Sequence, residues 1–341
     1  MSAATLPPMG MILLAYRQEH FIREALLAAL AQDYGDLEIV VSDDASPDGT
    51  WRIIEEEAAR YRGPHRLILN RNAVNLGLME NLMTAASLTK APYLVLAAGD
   101  DVSEAGRVRR IAETFADMRA NEVPATLVIS NATYIDGTGK AFAEQGGWPE
   151  DARVSTEDVF AKGMVIGGAG SAYERTVFDA FPRPDDRIYN EDAIFCQRAA
   201  MLGGIVILPE RLLRYRRHGG NITTPPKEAA TGHMLQQQIL DHCPYWRVVL
   251  EQQGADVRWA AEKGLIPPAA ARMLAAHADR HLHNLDMTVA ALSSPGILRR
   301  VAAVMRQRGE PRRRQLRLLL MAVAPGLLLW VSRLRHGRSG G

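Results

Sequence analysis

The chain has 341 residues, 47% of them hydrophobic and 23% charged, which suffices for one large domain or two modest ones and is too apolar for disorder. A formal net charge of +1 gives no global field for nucleic acid, and the two cysteines, Cys196 and Cys243, make neither a disulfide framework nor a metal spacing. The cysteines are expected to be reduced in a cytoplasmic setting, because the start MSAATLPPMGMILLAYR lacks the basic residues and apolar length of a secretion signal and no apolar run reaches the ~20 residues of a spanning helix.

In chain order, Met11–Ala15 reads as a short apolar strand. Phe21–Ala31 carries Ile22, Leu26, Leu27 and Leu30 on one helical stripe. Leu37–Ser42 is the second strand, followed by the N-cap candidates Ser46 and Asp48 and a helix over Trp51–Tyr61. A third strand (Arg66–Leu69), a third helix (Leu78–Leu88) and a fourth strand (Tyr93–Ala98) complete a βαβ alternation, which means a mainly parallel sheet. Val108–Met118 then reads as a helix, Thr126–Ala132 as a strand, and YIDGTGK, Tyr134–Lys140, as a turn. Glu191–Leu202 is helical, with short strands at Ile205–Leu208 and Leu212–Arg216. The pair Pro225-Pro226 marks a boundary. Beyond it the pattern is helical over His233–Gln253, Ala269–Leu292, Ile297–Arg308 and Gln315–Leu334.

Two acidic pairs end two of the strands: LEIVVSDD, with Asp43 and Asp44, and YLVLAAGDD, with Asp100 and Asp101. Open α/β sheets place ligands at the carboxyl ends of their strands. Carboxylates crowded there repel one another and call for a cation, or for a ligand carrying one; a divalent metal with a diphosphate fits both needs. Each pair could instead cap the helix after it. The strand alternation, with both pairs at carboxyl ends, decides for a ligand site. Other apparent motifs carry less. Gly167-Gly168-Ala169-Gly170 lacks the spacing of a dinucleotide fingerprint, and His277, His281 and His283 lack the glutamate of a zinc hydrolase helix.

The ordered set LLAYRQEHFIREALLAALAQDY, EIVVSDDASPDGT, NLGLMENL, APYLVLAAGDDV, YNEDAIFCQRA and LLRYRRHGGNIT resembles the inverting family 2 glycosyltransferases, which have the GT-A fold. The resemblance runs from Met11 to Asn221. It implies an α/β fold: a Rossmann-like, mainly parallel sheet flanked by helices, with a helical C-terminal extension. The catalytic domain would be residues 1–224, with a nucleotide-sugar half over 1–132 and an acceptor half over 133–224. A helical extension would cover 225–310 and a basic amphipathic membrane-associating tail 311–341.

Position by position, the resemblance implies that Tyr16 stacks on the nucleotide base. Asp43, Asp44, Asn75, Asp100 and Arg216 would contact the nucleotide sugar, and Asp101, Asp100 and His218 would hold Mn2+ or Mg2+. Asp192, with Glu191 beside it, would supply the catalytic base. The chain departs from the family at Ala98, where the first aspartate of Asp-x-Asp-Asp would stand, and at Ala15-Tyr16-Arg17 in place of Thr-Tyr-Asn.

The implied activity is metal-dependent, inverting transfer of a sugar from a nucleotide-diphosphate donor to a hydroxyl. The acceptor would be a saccharide or lipid-linked saccharide of a cell-surface polysaccharide. The rivals are an inactive scaffold of the same fold docked on a membrane, and a nucleotidyltransferase. Arg312–Arg317, LLLMAVAPGLLLWV and the arginines after it suit an anionic membrane surface on the inner face of the plasma membrane. Packing against the catalytic domain or a second copy in a homodimer is the alternative for this tail, and no nucleic-acid partner is expected.

Overall fold

The computed structural model describes residues 6–144, 152–154, 156, 159–160, 168–221 and 231–325. These fall into two compact units, one within Met1–Ile222 plus Trp259–Pro267 and the other within Thr223–Arg258 plus Pro268–Gly341.

The first unit is built on one sheet. Strands β1 (Met9–Ala15), β2 (Leu37–Asp43), β3 (Arg66–Arg71) and β4 (Tyr93–Ala98) lie in the order β3-β2-β1-β4, and all three pairings are parallel. Helices α1 (Ile22–Leu30), α2 (Thr50–Arg60) and α3 (Leu78–Ser87) connect them. The inner strands are apolar on both faces because both faces are covered. Met11, Leu13, Ile39, Val41 and Val95 pack in one core with Ile22 and Leu26 of α1, Ile53 and Ile54 of α2, and Val108, Ile111 and Phe115 of α4 (Arg107–Ala120). α3 packs against β1 and β2. At the sheet edge β3 is half-exposed along its length.

Beyond β4 the direction alternates. β9 (Ser171–Glu174) runs antiparallel between β4 and β6 (Leu127–Ile135), and β10 (Ile205–Arg216) lies parallel to β6. β5 (Val102–Ser103) pairs antiparallel with β10, which brings the residues after Asp101 against Leu213 and Arg214. β7 (Ala141–Glu144) makes a hairpin with β6, its turn held by Asp136 Oδ1 accepting from the N–H of Thr138 and Lys140. β8 (Ala152–Val154) pairs with β10.

The sequence pattern places two short strands where β10 is one strand. Pro209 has no N–H for the ladder, and the strand shifts register between Leu208 and Arg211, and again before Leu213, instead of ending. Neither expected cap of α2 holds the cap position, which is Gly49: Asp48 Oδ1 accepts from Thr50 N–H at 3.1 Å just before the helix, and Ser46 Oγ takes the N–H of Arg17. β5, β7, β8 and β9 were not expected.

The second unit is helical: Gly232–Glu262 up to Arg258, Pro268–Ser293, Ile297–Met305 and Arg312–Val323. Its core gathers Ala291, Leu292, Ala303, Val304, Met321 and Ala322, with Leu318 and Leu319 packed on them. The apolar run expected to meet a membrane thus turns Leu318, Leu319, Met321 and Ala322 into this core. The remainder of that run, from residue 326, lies outside the described residues, as does Pro225-Pro226. Among the described residues no helix is long and apolar enough to cross a membrane.

Gly10 marks the tightest approach within β1. A Cβ there would come within 2.9 Å of Leu94 Cδ2 and 3.1 Å of Ala91 Cβ. Gly10→Val is expected to lower stability by about 1–3 kcal/mol through overpacking. Urea denaturation reads the shift, and an unchanged midpoint would mean that the strand has slack there.

Candidate functional site

The parallel register sets the strand ends side by side. Ala15 of β1 lies opposite Asp43 of β2, and Leu14 opposite Ala98 of β4. The backbone continues this on both sides of β1: Asp44 N–H donates to Ala15 O at 2.9 Å and Gly99 N–H to Leu14 O at 2.8 Å. The two acidic pairs therefore stand on one edge of the sheet, flanking the end of β1.

The loops leaving β1 and β2 brace one another. Arg17 N–H donates to Ser46 Oγ at 2.9 Å and Gln18 N–H to Thr50 Oγ1 at 2.8 Å. Arg17 and Ala45 both take φ of +56°, a left-handed conformation that ordinary residues keep only when their surroundings over-determine it. Tyr16 is exposed at the tip, 41% accessible, with the Arg17 guanidinium 5.7 Å from its ring centre.

The members of the first pair are held differently. Asp43 is fully buried; its Oδ2 accepts from Ser46 N–H at 3.0 Å and lies 3.6 Å from Arg71 Nε. Burial pushes its carboxyl above the usual range. Asp44 is saturated. Its Oδ1 accepts from Asn72 Nδ2 and Leu76 N–H, both at 2.8 Å, and its Oδ2 from Gly77 N–H at 2.9 Å. Gly77 takes φ of +84° to make that contact. Asp44 thus pins the loop that carries Asn75, which is exposed.

The second pair is wrapped by β10. Asp101 is buried; Oδ1 accepts from Arg216 N–H at 2.7 Å, and Oδ2 has no partner among the described residues. Burial, then the charge of Asp100, holds its carboxyl well above the ordinary range. Asp100 Oδ2 accepts from His218 Nε2 and from Asn221 Nδ2, each at 3.1 Å. Gly220 N–H donates to His218 Nδ1 at 3.2 Å, so the proton sits on Nε2 and points at Asp100. For Nε2 to face a cation that proton would have to move to Nδ1, against the Gly220 N–H. The arrangement favours His218 as the partner of Asp100 over His218 as a ligand.

Arg216 differs most from its expected place. It is 1% exposed. Nε donates to Asp100 O, Nη1 to Asp136 O and Nη2 to Glu24 Oε2, over the face of Phe21. Its guanidinium braces the acidic pair from inside the protein and leaves no arm for a phosphate.

The fit of a divalent ion can be judged from these oxygens. Among the described residues no three His, Cys, Asp or Glu side chains converge as a complete metal cage. A hard cation paired with a diphosphate needs only one or two protein carboxylates, the phosphates and waters supplying the rest. The unpartnered, buried Asp101 Oδ2 beside Asp100 meets that requirement.

The third pair enters from the other half of the sheet. Glu191 and Asp192 open the helix Asp192–Leu202. The Asp192 carboxylate accepts from the N–H groups of Ala193 and Gly168, and its Oδ1 has no partner among the described residues. Gly168 is pressed so close to Glu191 that a Cβ there would clash with its carboxyl group. Burial lifts Asp192 to about 6; burial, followed by the Asp192 charge, lifts Glu191 to about 8.

One residue that the sequence reading passed over ties the second and third pairs together. Arg107, the first residue of α4, is fully buried. Its Nη1 donates to Ser103 Oγ at 2.9 Å, and its Nη2 to Leu96 O of β4 at 2.9 Å and to Ala169 O at 2.6 Å. It therefore joins the end of β4 to the turn whose Gly168 holds Asp192. Its charge also acts on Asp101, while burial depresses its own pKa to about 10. A cation in the first turn of a helix opposes the helix dipole, so an arginine there signals an anion close by. That was the available clue in DDVSEAGR.

Residues 11–180 match the family described as Glycosyl transferase family 2. The chain belongs to this family. An uncharacterized protein of Mycobacterium tuberculosis is 30% identical to this family 2 glycosyl transferase over 216 residues, 63% of this chain and 60% of the relative. The chain thus matches about three fifths of that relative's length. Residues 1–349 of S. aureus TarS, in complex with UDP-GlcNAc, superpose with a TM-score of 0.57 at 15% identity, covering 98% of this chain and 92% of that one. The mannosyltransferase PcManGT from Pyrobaculum calidifontis, in complex with GDP-Man and Mn2+, gives 0.51 at 17% identity, covering 97% and 88%. At these identities the likeness establishes the GT-A fold.

Two measurements probe this arrangement. Arg107→Met should lower stability by about 3–5 kcal/mol in urea denaturation, because it takes a donor from three acceptors and a counter-charge from the buried Asp101; Arg107→Lys should recover part of it. Equal stability of Arg107→Met and the parent would refute the bridging role. The second concerns Glu191, whose carboxyl rises from its ordinary 4.5 to about 8 on folding. Between those values the folded chain keeps a proton that the unfolded chain has released, so stability falls as pH rises through the window. Glu191→Gln should flatten that slope.

Proposed function

We propose that this chain transfers a sugar from a nucleotide-diphosphate donor to a hydroxyl of a saccharide or lipid-linked saccharide, with inversion at the anomeric carbon, in cell-surface polysaccharide assembly. The reading rests on two acidic pairs at one sheet edge and a third linked to them through Arg107, in a family whose structural neighbours are described with UDP-GlcNAc and with GDP-Man and Mn2+. The nucleotide would lie over the ends of β1 and β2, its base against Tyr16 and its ribose beside the loop that Asp44 pins.

Burial raises both carboxyl groups of this pair above their ordinary range, so that one proton is readily held between Glu191 and Asp192 near neutral pH, as a general base requires. Asp192 offers the unpartnered oxygen. It would take the proton of the acceptor hydroxyl as that oxygen attacks the anomeric carbon and the nucleoside diphosphate departs. A single displacement of this kind inverts the centre. Asp100 and Asp101 would hold Mn2+ or Mg2+, which neutralises charge on the departing diphosphate. Glu191 would fix the acceptor or Asp192 in place.

Asp192→Asn is expected to lower kcat by about 10²–10⁴-fold while nucleotide binding persists. Asp101→Asn should abolish the thermal stabilisation given by UDP or GDP with Mn2+. The rate of the parent enzyme should fall as pH drops through about 6, where the Asp192 base is protonated. Release of pyrophosphate in place of a nucleoside diphosphate would convert the reading to nucleotidyl transfer. Absence of turnover with every donor, together with no nucleotide binding, would leave the scaffold.

A further inference from the structure

The helix Ile297–Met305 of the second unit presents two opposed apolar faces. Ala303 and Val304 point into the unit's core. On the opposite side Leu298 is 83% exposed, Met305 71% and Ile297 56%, with Ala302 exposed between them. At 100° per residue these four fall within one side of the helix. Such a run of large apolar side chains in water signals a surface that is covered in use.

The charge around it names the covering. From Ile297 to Val323 the chain has eight arginines and one acid, Glu310, and seven of those arginines are exposed. Glu310 lies 3.7 Å from Arg314, so even that acid is balanced. A second copy of this chain placed face to face would bring arginine against arginine. The segment contains no aromatic residue on which a nucleic-acid base would stack. Anionic phospholipid meets both features at once: the apolar side chains enter the acyl boundary while the arginines stay at the phosphates.

We propose that the exposed face of Ile297–Met305, together with Arg299 and Arg306 exposed on and just after the same helix, docks this chain on an anionic membrane surface. This surface differs from the one that the tail pattern suggested, because Leu318, Leu319, Met321 and Ala322 pack inward. The proposal stands apart from the transfer reaction and is tested without it.

The full chain is sedimented with vesicles of phosphatidylcholine alone and of phosphatidylcholine mixed with phosphatidylglycerol. The expected result is binding to the mixed vesicles only, weakened by salt as screening shortens the reach of the arginines. Leu298→Glu with Met305→Glu should reduce that binding by about ten-fold or more. Arg299→Glu with Arg306→Glu should reduce it comparably while leaving the apolar side chains intact, and Arg62→Glu, exposed on the other unit, should leave it unchanged. Light scattering and thermal melting of each variant confirm a folded chain. Equal binding to both vesicle types, no binding, or binding undiminished by both double variants would overturn the proposal. So would a parent dimer that Leu298→Glu dissociates, since a second copy would then own the face.

Discussion

Two acidic pairs held on one sheet edge, with a third tied to them through Arg107, set the terms for the rest of the first unit. Two unit charges 4 Å apart repel by about 4 kcal/mol at an effective dielectric of 20, against a total stability of about 5–15 kcal/mol for a domain. The edge persists because each group is quieted in its own way. Asp44 is surrounded by N–H donors. Asp101 has the Arg216 N–H and the buried charge of Arg107. Asp100 has His218 and Asn221, and Glu191 and Asp192 hold a proton between them. Buried arginines at this edge are thus counter-charges, and both stiffen it by reaching carbonyls on separate elements.

That stiffness extends to the loops. The exits of β1 and β2 each hold a left-handed non-glycine residue, at a cost of about 1–3 kcal/mol apiece. Hydrogen bonds from Arg17 and Gln18 across to Ser46 and Thr50 keep both in place. The exposed Tyr16 ring is therefore carried on a fixed backbone.

The first four strands and their helices were legible because each is a run of ordinary length with an unambiguous period, and the family resemblance rests on the same stretches. What the sequence hid was context. β9 has four residues and β5 two, too few for a pattern, and they exist only because β4, β6 and β10 offer them edges. Pro209 read as an end of a strand, but a neighbouring ladder carried β10 through it with a bulge. At the site, residue type was readable and orientation was not. Arg216 beside His218 looks like a phosphate ligand until the strand's alternation turns its side chain inward onto Glu24. Arg107 looks like a solvated helix residue until the burial of Asp101 gives it an anion.

The same distinction bears on how a donor would be read. Asp44 stands at the position from which the family resemblance implies contact with base or ribose, yet three N–H donors already occupy its carboxylate. Breaking them to reach a ligand would release Asn72, Leu76 and Gly77 together. The loop is therefore the stronger candidate to touch the nucleotide, with Asn75 exposed on it and Asp44 fixing its height above β2. Nucleotide preference in this chain would then follow from the composition of residues 72–77 more than from the acidic pair beneath them.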